Sequence, residues 1–137
     1  MLVTSPILSF ESSAFAVAEG EDAETNPGIF GKALAEWLSR GLNVRGVGAK
    51  PPYAEDWGWC VEVTGHKYPT GLACASDDGE KASWRVYAFS DLGLFGGFRG
   101  RDASVRAVNE LIETVKDLLS KEGSVTNLQS DGEGSVL

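Results

Sequence analysis

The side chains able to carry thiol or imidazole chemistry are few: Cys60, His66 and Cys74 are the only cysteines and histidine of the 137 residues. A metal site would need all three plus a carboxylate. Their separations, five residues and then seven, match none of the paired-ligand spacings that tetrahedral zinc selects. If a turn centres on Lys67, the two cysteines face each other across a hairpin. Two small half-buried thiols are the simpler reading, and a reducing cytosol would keep them unpaired. His66 follows Gly65 in an apparent turn, and no motif places a serine or cysteine beside it for activation. No catalytic set, metal site or cofactor is therefore expected.

Glu55 and Asp56 are adjacent carboxylates ahead of a tryptophan-rich stretch. Neighbours on an extended strand point to opposite faces, so they would not share a substrate as an acid–base pair. Gly96-Gly97-Phe98-Arg99-Gly100-Arg101-Asp102 precedes a helix and could hold an anion on backbone N–H groups, with Arg99 and Arg101 assisting. Neither nucleotide-loop pattern is present, and a connector is the plainer reading. Trp57, Trp59 and Trp84 fit either a core or a binding surface, and Tyr53 and Trp57 stand where they could border a cleft. The candidate binding residues are thus Tyr53, Glu55, Asp56, Trp57, Arg99 and Arg101.

The elements that must position these residues follow from the periodicities. Val3 to Phe10 reads as an edge strand around Pro6. An acidic linker, Glu19 to Glu24, leads to Asn26-Pro27, an N-cap and first helical position. Phe30, Ala33, Leu34, Trp37 and Leu38 give that helix its apolar stripe, and Gly41 a stop, so it is predicted over Pro27 to Arg40. Asp56 to Thr64 alternates, with Trp57, Trp59, Val61 and Val63 expected on the inward face. Return strands follow over Gly71 to Ser76 and Trp84 to Phe89, separated by Asp77-Asp78-Gly79-Glu80. A second helix, capped at Asp102 or Ser104 and ending at Gly123, carries Val105, Val108, Leu111, Ile112, Val115, Leu118 and Leu119. Residues 124–137 read as a polar tail with a short strand near Val125 to Leu128.

The order implies one α+β domain over residues 1–123. Its antiparallel sheet would have four to five strands with two helices on one face, a two-layer sandwich whose other face is solvated or a contact surface. The length and the 42% hydrophobic content suit a single core. The net charge of −8 disfavours nucleic acid and anionic membrane as partners, and favours a basic protein or none. No apolar run approaches the ~20 residues of a membrane span, and the N-terminus lacks the basic start of a secretory signal. If the chain is the whole gene product, its place is the cytoplasm.

Two stretches, Asn26-Pro27-Gly28-Ile29-Phe30-Gly31-Lys32-Ala33-Leu34-Ala35-Glu36-Trp37-Leu38 and Ala54-Glu55-Asp56-Trp57-Gly58-Trp59, together resemble a family of small uncharacterised proteobacterial proteins. The likeness covers roughly residues 7 to 120. It implies an autonomous bacterial domain and transfers no reaction. The expected function is a non-catalytic protein-binding domain, in one version an immunity or inhibitor protein for a basic toxin. The alternatives are a small-molecule binder or enzyme with a cleft between the tryptophan-rich strand and the Gly/Arg-rich loop, and a homodimer.

Overall fold

The computed structural model describes residues 1–77, 79–94 and 98–136, with the backbone alone at Phe98 and Arg99. Its elements are β1 (Leu2–Thr4), β2 (Ile7–Glu11), a 3-10 turn (Glu21–Ala23), α1 (Lys32–Val44), β3 (Tyr53–Glu55), β4 (Gly58–Val63), β5 (Thr70–Ser76), β6 (Ser83–Asp91), α2 (Phe98–Ser120), β7 (Thr126–Asp131) and β8 (Ser135–Val136). The fold is α+β with an antiparallel sheet, as the patterning implies. Among the described residues the sheet has eight strands, however, rather than four or five.

Three additions account for the difference. Tyr53–Glu55 pairs with β4 as an outer strand. The N-terminal strand is broken at Pro6 into β1 and β2, both of which run along β6. At that break the Ser5 hydroxyl accepts the Ala88 N–H at 2.8 Å, so the ladder loses no satisfied donor where proline cannot contribute one. Finally, the residues expected as a tail form β7 and β8, which pair with β2 and β1. The N-terminal segment is consequently an interior strand and not an edge.

Alternation along each strand separates the two faces. Val3, Leu8, Phe10, Trp59, Val61, Val63, Leu72, Cys74, Trp84, Val86 and Ala88 point to the core. There they meet Leu34, Ala35, Leu38 and Leu42 of α1 and Val108, Leu111, Ile112, Val115 and Leu119 of α2. Both helices thus cover the same side of the sheet. Burying each Val, Leu, Ile or Phe among them contributes roughly 1.5–3 kcal/mol. Trp84 is fully buried, donates its indole N–H to the Ser12 carbonyl at 3.0 Å, and packs edge-on against Phe15.

Both helices depart from their expected limits. Helix α1 starts at Lys32, not Pro27, because Gly28 (φ +81°) and Gly31 (φ +147°) hold the chain out of helical conformation. Its first amides are capped from a distance. Glu21, 5% exposed, accepts Gly31 N–H at 2.8 Å and Lys32 N–H at 3.1 Å on one carboxylate oxygen, and Ala18 N–H at 3.3 Å on the other. A buried carboxylate is thereby satisfied by the positive end of a helix. The expected cap, Asn26, instead donates to the Asp56 carbonyl at 2.9 Å.

Gly41 does not end α1 either. A Cβ there would meet the Leu118 side chain at 3.2 Å, so the glycine permits the crossing of α1 and α2. Helix α2 begins at Phe98, ahead of the expected caps. Ser104 lies inside it, buried, with its hydroxyl 3.2 Å from that of Ser90 on β6. Among the described residues, no helix is long and apolar enough to cross a membrane.

Glu21→Ala should lower stability by about 2 kcal/mol, since it strips a charged acceptor from three amides. Urea unfolding checks this; a loss below about 0.5 kcal/mol, the scale of ordinary surface changes, would contradict the capping role.

Candidate functional site

The helix-free face of the sheet is built from the residues that alternate away from the core. One row across it reads Tyr53, Cys60, Ala73, Tyr87; the next reads Glu62, Gly71, Phe89, Thr4. Bulky side chains stand on the flanking strands, while β5 presents only Gly71, Ala73 and Ala75 between them. The result is a shallow depression of about 230 Å³, lined by Ile29, Trp57, Ala73, Ala75, Ser76, Arg85 and Tyr87.

Two glycines set the walls of this depression. Gly58 adopts φ +149° and approaches β5 so closely that a Cβ would collide with the Cys74 carbonyl and touch the Ala75 methyl at 3.0 Å. Gly31 approaches the same carbonyl, where a Cβ would stand 3.2 Å from the oxygen. Trp57, next to Gly58, and Ile29, two residues before Gly31, are thereby brought over the same floor. The Asn26–Asp56 hydrogen bond joins the two segments, and the Ser76 hydroxyl donates to the Gly28 carbonyl at 3.1 Å. The stretches 26–31 and 54–59, distant in sequence, therefore meet at one place.

Tyr53, Glu55, Asp56 and Trp57 all lie on the β3–β4 hairpin and are exposed. Asp56 and Trp57 form its turn between the paired residues Glu55 and Gly58. Trp57, expected on the inward face with Trp59, is instead 43% exposed, because the strand begins one residue after it. Trp59 is the core residue, 3% exposed, with the Lys32 ammonium 5.3 Å from its ring centre.

Arg101 does not join this group. It lines a separate groove between α2 and β8, with Val105, Asn109 and Val136. The Arg99 side chain, Gly96 and Gly97 lie outside the described residues. The hairpin turn sits beside Ser76 and Ser83, whereas α2 follows the opposite end of β6 at Asp91. Among the described residues, Trp57 and Arg101 line different depressions. Sequence reasoning passed over Arg85, Tyr87 and Ile29. The first two alternate outward on β6, which was legible from the strand period; the approach of Ile29 was not.

The register of β4 on β5 settles the thiols. Cys60 pairs with Ala73 and Cys74 with Trp59, one residue away from the symmetric hairpin. Cys60 consequently faces the helix-free side and Cys74 the core, so the two cannot share a disulfide or a metal ion. Both are free and buried. Burial pushes both thiols up in pKa; for Cys60 the neighbouring Tyr53 offsets part of that rise, and Glu55 and Glu62 add to it. Tyr53 is itself pushed up, first by its interaction with Cys60 and then by burial. Neither cysteine offers a thiolate at neutral pH. His66 is exposed and borders a third depression with Val47 and Glu110.

Comparison with protein-family models, with curated proteins and with solved structures returns no match to this chain.

Native protein at pH 7 should react slowly with a disulfide reagent at both cysteines, and both should react rapidly once unfolded. Mild oxidation of the native protein should yield no internal Cys60–Cys74 disulfide on a non-reducing mass measurement. A fast-reacting native thiol, or that internal bridge, would contradict the register.

Proposed function

We propose that this protein is a non-catalytic recognition domain that binds a protein partner through the β3–β4 hairpin and the adjoining helix-free face. The observation that carries the reading is the grouping on that hairpin: Tyr53 and Trp57, 45% and 43% exposed, next to the exposed carboxylates Glu55 and Asp56. Exposed aromatics on a rigid strand pair supply large contact area at little conformational cost, which is how binding anchors are built. The hairpin is held by the sheet on one side and by the Asn26 hydrogen bond on the other, so little ordering would remain to be done on binding.

The flanking carboxylates and the net charge of −8 select a partner rich in Lys and Arg and would accelerate its approach. A stoichiometric inhibitor or immunity protein is one form this activity would take. The buried, protonated thiols favour recognition over nucleophilic catalysis. In the proposal the protein acts in the cytoplasm, without nucleic acid or membrane as a partner.

Affinity capture from the source organism's lysate tests this with three baits: the natural chain, Trp57→Ala, and the double variant Glu55→Lys/Asp56→Lys. The natural chain should retain one stoichiometric basic partner, Trp57→Ala should lose it, and the double variant and moderate salt should each weaken retention about tenfold or more. Recovery of bait alone, or retention indifferent to all three perturbations, would refute the proposal. Both variants alter exposed hairpin residues and should keep the natural melting temperature within a few degrees.

A further inference from the structure

The depression beside Trp57 has a chemistry of its own, although it shares Trp57 with the proposed protein-binding surface. Its floor is the methyl groups of Ala73 and Ala75, and its apolar walls are Ile29, Trp57 and Tyr87. Arg85 stands at its polar side, together with Ser76. The ion pairs among the described residues are Lys32–Glu24, Arg45–Asp117, Lys50–Glu62 and Lys121–Asp117. Arg85 enters none of them, and on its strand it faces Ala75 and Ser9 across the ladders.

A guanidinium beside an apolar, aromatic-walled recess is complementary to a carboxylate carried on a flat apolar body. The guanidinium forks onto the two oxygens, while the ring lies on the alanine floor against the indole. The volume of about 230 Å³ suits a body of the size of an aromatic ring and falls below the usual range for larger ligands, ~300–1,000 Å³. Distant negative charges are screened at physiological salt beyond ~8 Å, whereas Asp56, next to Trp57 in the chain, opposes an anion here and must be outweighed by the guanidinium. We propose that the Ile29–Trp57–Arg85–Tyr87 depression binds a small aromatic carboxylate, with Arg85 as the residue that recognises the acid.

Amide correlation spectra of the full chain, titrated with benzoate, indole-3-carboxylate and neutral benzamide, test the site. Both acids should give saturable shifts centred on the Trp57 indole N–H and on Ala73, Ala75, Arg85 and Tyr87. Benzamide, and the acids with Arg85→Gln, should bind about tenfold more weakly or worse. Arg85 is exposed, so that variant is expected to fold. Absence of saturable shifts at millimolar ligand, or equal binding of benzamide and benzoate, would overturn the proposal. Tighter binding of a short peptide ending in a phenylalanine carboxylate would overturn the assignment to a free small acid. The titration is read on the isolated chain and through Arg85, which the partner test does not vary, so failure of the partner capture leaves its outcome to be decided by these shifts alone.

Discussion

The architecture around the candidate site depends on how closely two glycines approach one carbonyl. Gly31 and Gly58 both pack against the backbone at Cys74, one from the loop that leads into α1 and the other from the first residue of β4. Any Cβ at Gly58 would have to displace that carbonyl, and its φ of +149° is one that L side chains rarely adopt. The approach fixes three things at once: where α1 can begin, how far the β3–β4 hairpin leans over β5, and which side chains wall the depression on the helix-free face. Glu21 reinforces the same point from behind by accepting the Gly31 and Lys32 amides. The site is therefore a by-product of backbone packing, with its polar and aromatic side chains added to a frame that glycine makes possible.

What could be read in the sequence was whatever depended on local period. The stripe from Val105 to Leu119 announced α2, and alternation around Trp59 and Trp84 announced the meander of β4 to β6. What could not be read was non-local. The start of α1 is decided by a carboxylate at Glu21 and by two left-handed glycines, so the Asn26-Pro27 signal, strong by itself, was taken up by a turn and by the Asp56 carbonyl. The facing of Cys60 turned on a one-residue register that no turn motif declared. Polar residues 126–131 carry little apolar signal because both their faces are largely exposed, yet their backbone pairs with β2 all the same. Of the candidate residues, Tyr53, Glu55, Asp56 and Trp57 share one hairpin, as their adjacency implies; Arg85, which lines the depression, carries no spacing signal as a lone arginine on a strand.

The chemistry of the face follows from what its side chains lack as much as from what they hold. The thiol that faces it, Cys60, is covered by neighbours and kept protonated. The other functional groups the described residues bring to the face are an indole, two phenols, the Ser76 and Thr4 hydroxyls, carboxylates and a guanidinium. In the two proposals that inventory serves recognition: aromatic anchors on a rigid hairpin for a macromolecule, and an arginine-ended recess for a small acid. The two readings share Trp57, which stands at the boundary of hairpin and recess.

The close approach of the two glycines is the most direct point of attack. A Cβ at Gly58 would lie 3.0 Å from the Ala75 methyl, and one at Gly31 would lie 3.4 Å from the Ala75 Cα, so an α-proton of each glycine points at Ala75. Nuclear Overhauser spectra of the natural chain should show strong contacts from Gly58 Hα to the Ala75 methyl and from Gly31 Hα to Ala75 Hα. Both contacts present would establish that the loop and the hairpin converge on β5. Absence of either, with the β5–β6 cross-strand contacts intact, would contradict the convergence on which the site rests.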